Sequence, residues 1–177
     1  MKKILITSLL FLAMLMYVPT SFAGVKAGDT ELGLQTSLNS SWGDAQPDVN
    51  TFLLAGKVSH FVMDELSVGI TSVGTIVTSD FGDTALLSFE AEPNWHFMTD
   101  TAVVPYVGPH AGFITIETTG FSETVFTYGV QGGVKAFVSE NAAVDAQLRY
   151  TRFELDIPGA EPTNNLGVFV GLNLYFN

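Results

Sequence analysis

Six charged residues between positions 57 and 149 have the types and spacing to do chemistry. Two of them, Glu90 and Glu92, are separated by one residue, and the period of two of a β-strand would place both carboxyl groups on one face. Paired carboxyl groups can serve as general acid and general base, and they can equally form ion pairs with basic side chains. The other members of this charge set are Lys57, Lys135, Asp145 and Arg149. The elements that carry these residues decide between the two uses.

The segments that hold most of the charge set alternate between apolar and polar residues. From 85 to 97, apolar residues occupy one face, and Glu90 and Glu92 lie on the other. The segments 124–138 and 142–154 alternate in the same way. Strands with one apolar and one polar face are typical of a barrel that has lipid outside and a wet lumen inside.

The C-terminal segment shows the clearest alternation. Every second residue from Leu166 to Phe176 is apolar, whereas the residues between them are polar, small or aromatic. The segment ends in an aromatic residue followed only by Asn177. This pattern again predicts a strand with lipid on one side and the lumen on the other.

Turn-like segments divide the chain after its first residues into eight strand-length pieces. The pieces are 29–38, 51–62, 66–77, 85–97, 103–116, 124–138, 142–154 and 164–176. No uncharged apolar run in this part reaches the length of a membrane-spanning helix, and only helices and closed barrels satisfy every backbone group in lipid. We therefore expect an all-β fold, an eight-stranded antiparallel transmembrane β-barrel of up-and-down topology. After Ser72, where the apolar pattern shifts, a bulge or a softer register is expected. Local bulges are expected at Pro93 and Pro109, because each proline removes a ladder donor.

The first 23 residues are expected to form a cleaved signal peptide. Lys2 and Lys3 precede an apolar run from 4 to 18, and Ser21-Phe22-Ala23 provides small residues for the peptidase. The apolar run of 15 residues is shorter than the roughly 20 that a spanning helix needs. We therefore expect export by the Sec route and a single β-barrel domain over residues 24–177.

Composition excludes nucleic-acid binding and any structure or site that depends on cysteine. The 177 residues include 18 acidic and 7 basic residues, and this balance repels nucleic acid. The chain has no cysteine, so it has neither disulfides nor thiolate metal sites.

The connections predict an orientation in the membrane. Those near 63–65, 98–102 and 139–141 are short, whereas the others are mostly longer, and outer-membrane barrels have short turns in the periplasm and longer loops outside. Four aromatic residues fall at strand ends on the short-turn side, where an interfacial girdle belongs. They are Trp95, Phe97, Phe137 and Phe176.

Three segments resemble a known family. They are Pro105-Tyr106-Val107-Gly108 with Gly112-Phe113 after it, Gly129 to Phe137, and the ending from Gly171 to Phe176. With the leader, these segments are similar to the outer-membrane protein β-barrel domain family, the small eight-stranded barrels of the outer-membrane protein A and X type. The resemblance covers residues 24–177 and departs from the pattern at Phe169, where a polar residue is usual, and at Asn177. It implies that Gly171, Leu174, Tyr175 and Phe176 form the assembly signal presented to the barrel-insertion machinery.

In a narrow barrel, the charge set is expected to form a structural network inside the lumen. Unpaired charges there would be costly, so Lys57, Glu90, Glu92, Lys135, Asp145 and Arg149 should pair and plug the barrel. A metal site formed by His96, His110 and Glu92 is conceivable, but hydrogen-bonded interior histidines are favoured. Ser59-His60 has the wrong order and position for a lipid-hydrolysing pair. We expect no catalytic residues, metal or cofactor.

The sequence therefore predicts a monomeric, non-enzymatic protein of the bacterial outer membrane. Its expected role is structural, in envelope integrity, or interactive at the surface, with outer-membrane lipids and lipopolysaccharide as partners. Acidic residues in the external segments could engage divalent cations or a cationic surface, or could simply be solvated. The alternative function is a narrow channel for small solutes. A third hypothesis is a soluble lipocalin-like barrel with its apolar face inward.

Overall fold

The residues that the structure describes from position 30 onwards form eight strands. They are β1 (Thr30–Gly43), β2 (Gln46–Phe61), β3 (Leu66–Ser79), β4 (Gly82–His96), β5 (Val103–Thr118), β6 (Phe121–Ser139), β7 (Ala142–Glu154) and β8 (Thr163–Phe176). Each strand pairs antiparallel with the next, and β8 pairs with β1 to close a barrel. The predicted fold class is confirmed.

The computed structural model describes residues 24–43, 46–79, 82–118, 121–154 and 163–177. The expected signal peptide, residues 1–23, lies outside this part of the chain. Within the described residues, no helix is long and apolar enough to cross a membrane.

The two ends of the barrel differ. Residue 24, the C-terminus and the β2–β3, β4–β5 and β6–β7 connections lie at one end, which we term the terminal end. The opposite end is termed the far end.

The alternation predicted from the sequence sets the two faces of the barrel wall. The outward residues form an apolar surface, and many of them are more than half exposed: Leu34, Ile70, Phe89, Phe113, Val130, Leu148, Leu166 and Leu172. The inward positions are largely polar and buried. An apolar outer face around a closed barrel is the arrangement that lipid requires, and it excludes the lipocalin-like reading, in which the apolar face would point inward.

At the far end, the strands run further than predicted. A connection was expected from Asn39 to Asn50, but β1 continues to Gly43, β2 begins at Gln46, and these ends pair with each other. The β3–β4 and β5–β6 pairs extend similarly. Polar residues that resemble turn residues are compatible with a strand here because the antiparallel ladder satisfies their backbone groups. The predicted connection from 155 to 163 lies almost entirely outside the described residues.

The predicted bulge after Ser72 is wrong. β3 pairs without a register shift with β2 from Ser67 to Thr78 and with β4 from Leu66 to Ser79. The apolar pattern changes face because Val73 points into the lumen, where it is 9% exposed. The far half of the lumen has apolar walls, whereas the alternation in the sequence predicts a polar lumen.

The two prolines interrupt a ladder without making a bulge. Pro93 on β4 lies opposite Pro109 on β5, and the described pairing between these strands passes from Ala91↔Ala111 directly to Trp95↔Val107 with the register unchanged. Neither proline has an N–H to donate. The expected irregularity is therefore present as a gap rather than as an inserted residue.

An apolar cluster closes the lumen at the terminal end. Its members are Val25, Phe61, Val104, Phe137, Ala143 and Tyr175. The prediction that Phe137 belongs to an outward girdle is wrong, because this side chain is 1% exposed and its ring centroid lies 5.0 Å from that of Tyr175. Phe137 is two residues from Lys135 and so shares its inward face. Trp95, Phe97 and Phe176 are exposed, as predicted.

The strand pair that closes the barrel is shorter than the others. β1 pairs with β8 only from Thr30↔Phe176 to Thr36↔Val170. Beyond this point, the described residues of β1 continue to pair with β2, and those of β8 with β7. Among the residues that the structure describes, the β1/β8 seam is therefore unpaired toward the far end.

Candidate functional site in the lumen

All six residues of the charge set point into the lumen. Lys57, Glu90, Glu92, Lys135, Asp145 and Arg149 are each at most 5% exposed. The structure brings them into two layers, which lie between the apolar cluster of the terminal end and the far half of the lumen.

The first layer, termed the lysine layer, is centred on Glu31. Glu31 Oε2 accepts a hydrogen bond of 2.5 Å from Lys135 Nζ, and Glu31 Oε1 lies 3.4 Å from Lys57 Nζ. Lys135 Nζ also lies 3.1 Å from His96 Nε2 and 5.0 Å from the ring centroid of Tyr106. One carboxylate thus faces two ammonium groups against an aromatic wall, a combination that favours both ion pairing and cation–π attraction.

Asp145 lies beside this layer and is held by neutral donors. Its carboxylate accepts hydrogen bonds from Gln35 Nε2 at 3.0 Å, Asn173 Nδ2 at 3.1 Å and the Tyr106 hydroxyl at 3.1 Å. These donors come from β1, β8 and β5. Asp145 therefore ties its own strand, β7, to three others.

The second layer, termed the arginine layer, is centred on Arg149. Its Nη1 donates to Glu92 Oε1 at 2.8 Å, and its Nη2 donates to Glu90 Oε2. Thr127 donates to Glu90 at 3.0 Å, and Gln131 donates to Glu92 at 3.1 Å. Charge-assisted bonds of this kind are stronger than neutral ones, and they connect β4 to β6 and β7 across the lumen.

The three histidines lie in separate environments. His96 belongs to the lysine layer, whereas His110 Nδ1 lies 3.7 Å from Glu90 and its Nε2 lies 3.1 Å from the carbonyl oxygen of Tyr150. Among the described residues, no three His, Asp or Glu side chains are grouped so that they could hold a metal ion. His96, His110 and Glu92 therefore do not form the metal site considered from the sequence.

Ser59 and His60 do not form a catalytic pair. Ser59 is buried in the lumen, whereas the adjacent His60 is exposed on the outer face and lies 3.3 Å from the Thr30 hydroxyl. Neighbouring residues on a strand point to opposite faces, so this dipeptide cannot direct both side chains at one substrate.

Sequence reasoning missed Glu31, the centre of the lysine layer. The signal was available, because Glu31, Gly33 and Gln35 alternate with Leu32 and Leu34 in the first strand. The same alternation had identified the acids of β4. The neutral partners, by contrast, are fixed only by which strands oppose one another across the lumen.

The far half of the lumen contains a cavity of about 290 Å³. Its floor includes Glu90 and Arg149, and much of its wall is apolar, formed by Leu53, Val73, Leu86, Ile114, Phe153 and Phe169. Phe169, the residue that departs from the usual polar pattern, is 6% exposed and points inward.

The described lumen thus has four levels: an apolar cluster, the lysine layer, the arginine layer and an apolar-walled cavity. The buried charges are engaged with one another and with neutral partners from opposing strands. Chemically, this arrangement cross-links the barrel wall.

Several solved structures are similar to this one. The crystal structure of Neisserial surface protein A matches with a TM-score of 0.60 and 19% identity, over 84% of this chain and 96% of that chain. The N-terminal β-barrel domain of OprF from Pseudomonas aeruginosa has a TM-score of 0.56 and 17% identity, over 85% and 98% of the two chains. OprG, an outer-membrane protein of the same organism, has a TM-score of 0.55 and 16% identity, over 87% and 98%.

At these identities, the likeness shows a shared fold. No protein-family model and no curated protein matches the sequence. The fold is that of the small eight-stranded outer-membrane barrels, as the sequence resemblance implied. Its apolar outer face suits contact with lipid, and the fold and this face together support the predicted outer-membrane location.

Proposed function

We propose that this protein is a non-enzymatic outer-membrane barrel that acts as a monomer in envelope integrity or surface interaction, with its lumen plugged against solutes. The terminal end faces the periplasm and the far end faces outward, since short turns and both termini belong on the periplasmic side of such barrels. Residues 1–23 are the signal peptide that directs export, and residues 24–177 are the mature barrel.

One observation supports the proposal of a plugged lumen most directly: the buried arginine layer extends across the lumen. Arg149 on β7 contacts both Glu90 and Glu92 on β4, and all three side chains are at most 5% exposed. The lysine layer lies next to it, followed by the apolar cluster at the terminal end. A solute passing through would have to separate both ion-paired layers, and breaking such pairs costs several kcal/mol.

Assembly is proposed to depend on the C-terminal strand. Leu174 and Phe176 are 48% and 49% exposed on the outer face, whereas Tyr175 points inward. Gly171 fits closely against β1, because a Cβ there would lie 2.3 Å from the carbonyl oxygen of Leu34. Outward apolar residues on the last strand are available to the barrel-insertion machinery before β8 closes against β1.

A surface role would involve the acidic far end. Glu117 is exposed there and Glu123 is half-buried, while most of the other acids of the expected loops lie outside the described residues. Such groups would bind divalent cations that bridge lipopolysaccharide, or a cationic surface. They would not attract an anionic partner.

The channel alternative is tested by conductance. Purified protein, folded and reconstituted in planar bilayers, should show negligible single-channel current if the two layers plug the lumen. The single-channel current of the Arg149→Ala variant, which lacks the centre of the arginine layer, is compared with that of the Arg152→Ala variant, a matched change on the same strand. Steady, charge-sensitive currents from the unaltered protein would overturn the proposal in favour of a channel.

A further inference from the structure

The cavity in the far half of the lumen is unusual for its position. The interior of an outer-membrane barrel is ordinarily polar, yet the β2, β3, β4, β5, β7 and β8 walls here each contribute an apolar side chain. An apolar wall left against water or empty space loses both hydrophobic and dispersion stabilisation. The volume of about 290 Å³ lies close to the lower end of small-molecule sites, roughly 300–1,000 Å³.

The cavity does not call for a charged ligand. The carboxylate and guanidinium at its floor, Glu90 and Arg149, already form an ion pair with each other, and Arg149 is also paired with Glu92. The remaining polar lining is neutral, for example Ser88 and Thr151. These groups are compatible with a neutral molecule that is mostly apolar.

Phe169 on β8 shapes this side of the cavity. Its ring lies against Gly167, where an added Cβ would be 2.7 Å from Phe169 Cε2. The absence of a side chain at Gly167 therefore allows the ring to lie along the inner face of β8. Phe169 is also the first residue of β8, counted from the C-terminus, that has no β1 partner in the described pairing.

The unpaired part of the seam adjoins this wall. The described pairing of β1 with β8 ends at Thr36↔Val170, and the next outward residues of β8, Val168 and Leu166, are apolar and 63% and 66% exposed. Their apolar character places the end of the pairing at the depth of the lipid. Non-helical backbone with unsatisfied groups is tolerated at that depth only where it is buried in protein or lines a cavity.

We infer that the far half of the lumen binds a small, neutral, apolar molecule drawn from the membrane, and that the unpaired part of the β1/β8 seam is its route. This binding site lies on the far side of the arginine layer. A molecule that enters and leaves through the seam therefore does not have to open the plug.

Binding is tested with N-phenyl-1-naphthylamine, a neutral apolar fluorophore, on the full barrel reconstituted in lipid vesicles. Partition into lipid rises linearly with probe concentration, so the site is measured as the saturable part of the fluorescence. Val73→Phe, which fills the cavity, should weaken saturable binding about tenfold or more. Val68→Phe is the matched control on the outer face of the same strand and should bind as the unaltered protein does.

A second variant distinguishes loss of the binding site from misfolding of the barrel. Leu86→Gln keeps the side-chain size but makes the wall polar, and it should also weaken saturable binding while the heat-modifiable gel migration of a folded barrel is retained. Binding that is linear only, or equal in Val73→Phe and Val68→Phe, would overturn the site.

The route is tested by locking the seam with a disulfide in the cysteine-free chain. Leu38→Cys with Val168→Cys spans the unpaired part, whereas Thr36→Cys with Val170→Cys, at the last paired position, is the control. Oxidation should slow probe uptake several-fold in the first pair alone, and reduction should restore it. Equal uptake rates in both oxidised pairs would overturn the lateral route.

Discussion

Lys135 on β6 donates a hydrogen bond of 2.5 Å to Glu31 on β1, although these strands are not neighbours in the barrel. The contact spans the lumen, so it supports the wall in a direction that the strand ladder does not. Lys57 on β2 approaches the other oxygen of the same carboxylate. Two cations therefore depend on one buried anion.

Glu31→Gln should be more destabilising than Lys57→Gln. Losing the anion leaves two buried ammonium groups without their ion-pair partner, and removing one partner of a buried pair costs about 3–5 kcal/mol. Losing Lys57 still leaves the Lys135 pair intact. Urea unfolding of the refolded variants, monitored by tryptophan fluorescence, measures the difference.

The control for this comparison is Glu117→Gln, because Glu117 is exposed at the far end. Its free energy of unfolding should change by no more than about 0.5 kcal/mol. If Glu31→Gln were as mild as Glu117→Gln, the lysine layer would not stabilise the barrel.

Arginine at the outward positions Leu87, Leu148 or Leu172 should destabilise the barrel by about 2–4 kcal/mol near the midplane of the bilayer. The three leucines are 48%, 51% and 59% exposed, so the loss comes from placing a charge in lipid. Val62→Arg, a similarly exposed apolar position in the β2–β3 turn, should cost at most about 1 kcal/mol. Folding equilibria in vesicles provide the measurement, and equal costs at all four positions would refute a lipid-facing band.

Single labels provide an independent test of the two faces. Because the chain has no cysteine, thiols introduced at Leu87 or Leu148 and at Gln131 or Gln147 each carry one spin label. Labels at the leucines should respond to oxygen dissolved in lipid, and labels at the glutamines should be shielded from it. The opposite result, with lipid access at the glutamines, would reverse the assigned faces of the wall.

The sequence was sufficient for the architecture because each face of a strand repeats every two residues. Glu90, Glu92 and Arg149 were placed in the lumen by that repeat alone. The repeat could not predict which lumen residues pair with each other. Lys135 approaches Glu31 only because the barrel closes, and no local sequence pattern encodes that closure. Val73 and Phe137 were misassigned for a related reason: the lumen changes from apolar to polar to apolar along its axis, so an apolar side chain does not always mark the lipid face.

Phe176→Ser should impair assembly while leaving export intact. The exposed ring belongs to the proposed signal on the last strand, so its loss should leave unfolded protein in the periplasm. Phe97→Ser is the matched control, since Phe97 is exposed to a similar degree, 45% against 49%, in the β4–β5 connection at the same end. Cell fractionation with heat-modifiable gel migration reports both outcomes, and a Phe176→Ser protein that is folded at normal yield in the outer membrane would contradict the role.

The stability of Glu90→Ala tests the plugged lumen most directly. Its loss leaves Arg149 with Glu92 alone and removes the acceptor of Thr127, so the free energy of unfolding should fall by about 3–5 kcal/mol. Ala91→Ser, the adjacent outward position, should have much less effect. The account predicts this large loss, together with negligible conductance of the unaltered protein. Unchanged stability of Glu90→Ala, accompanied by a shift in the ion selectivity of measurable single-channel currents, would contradict it.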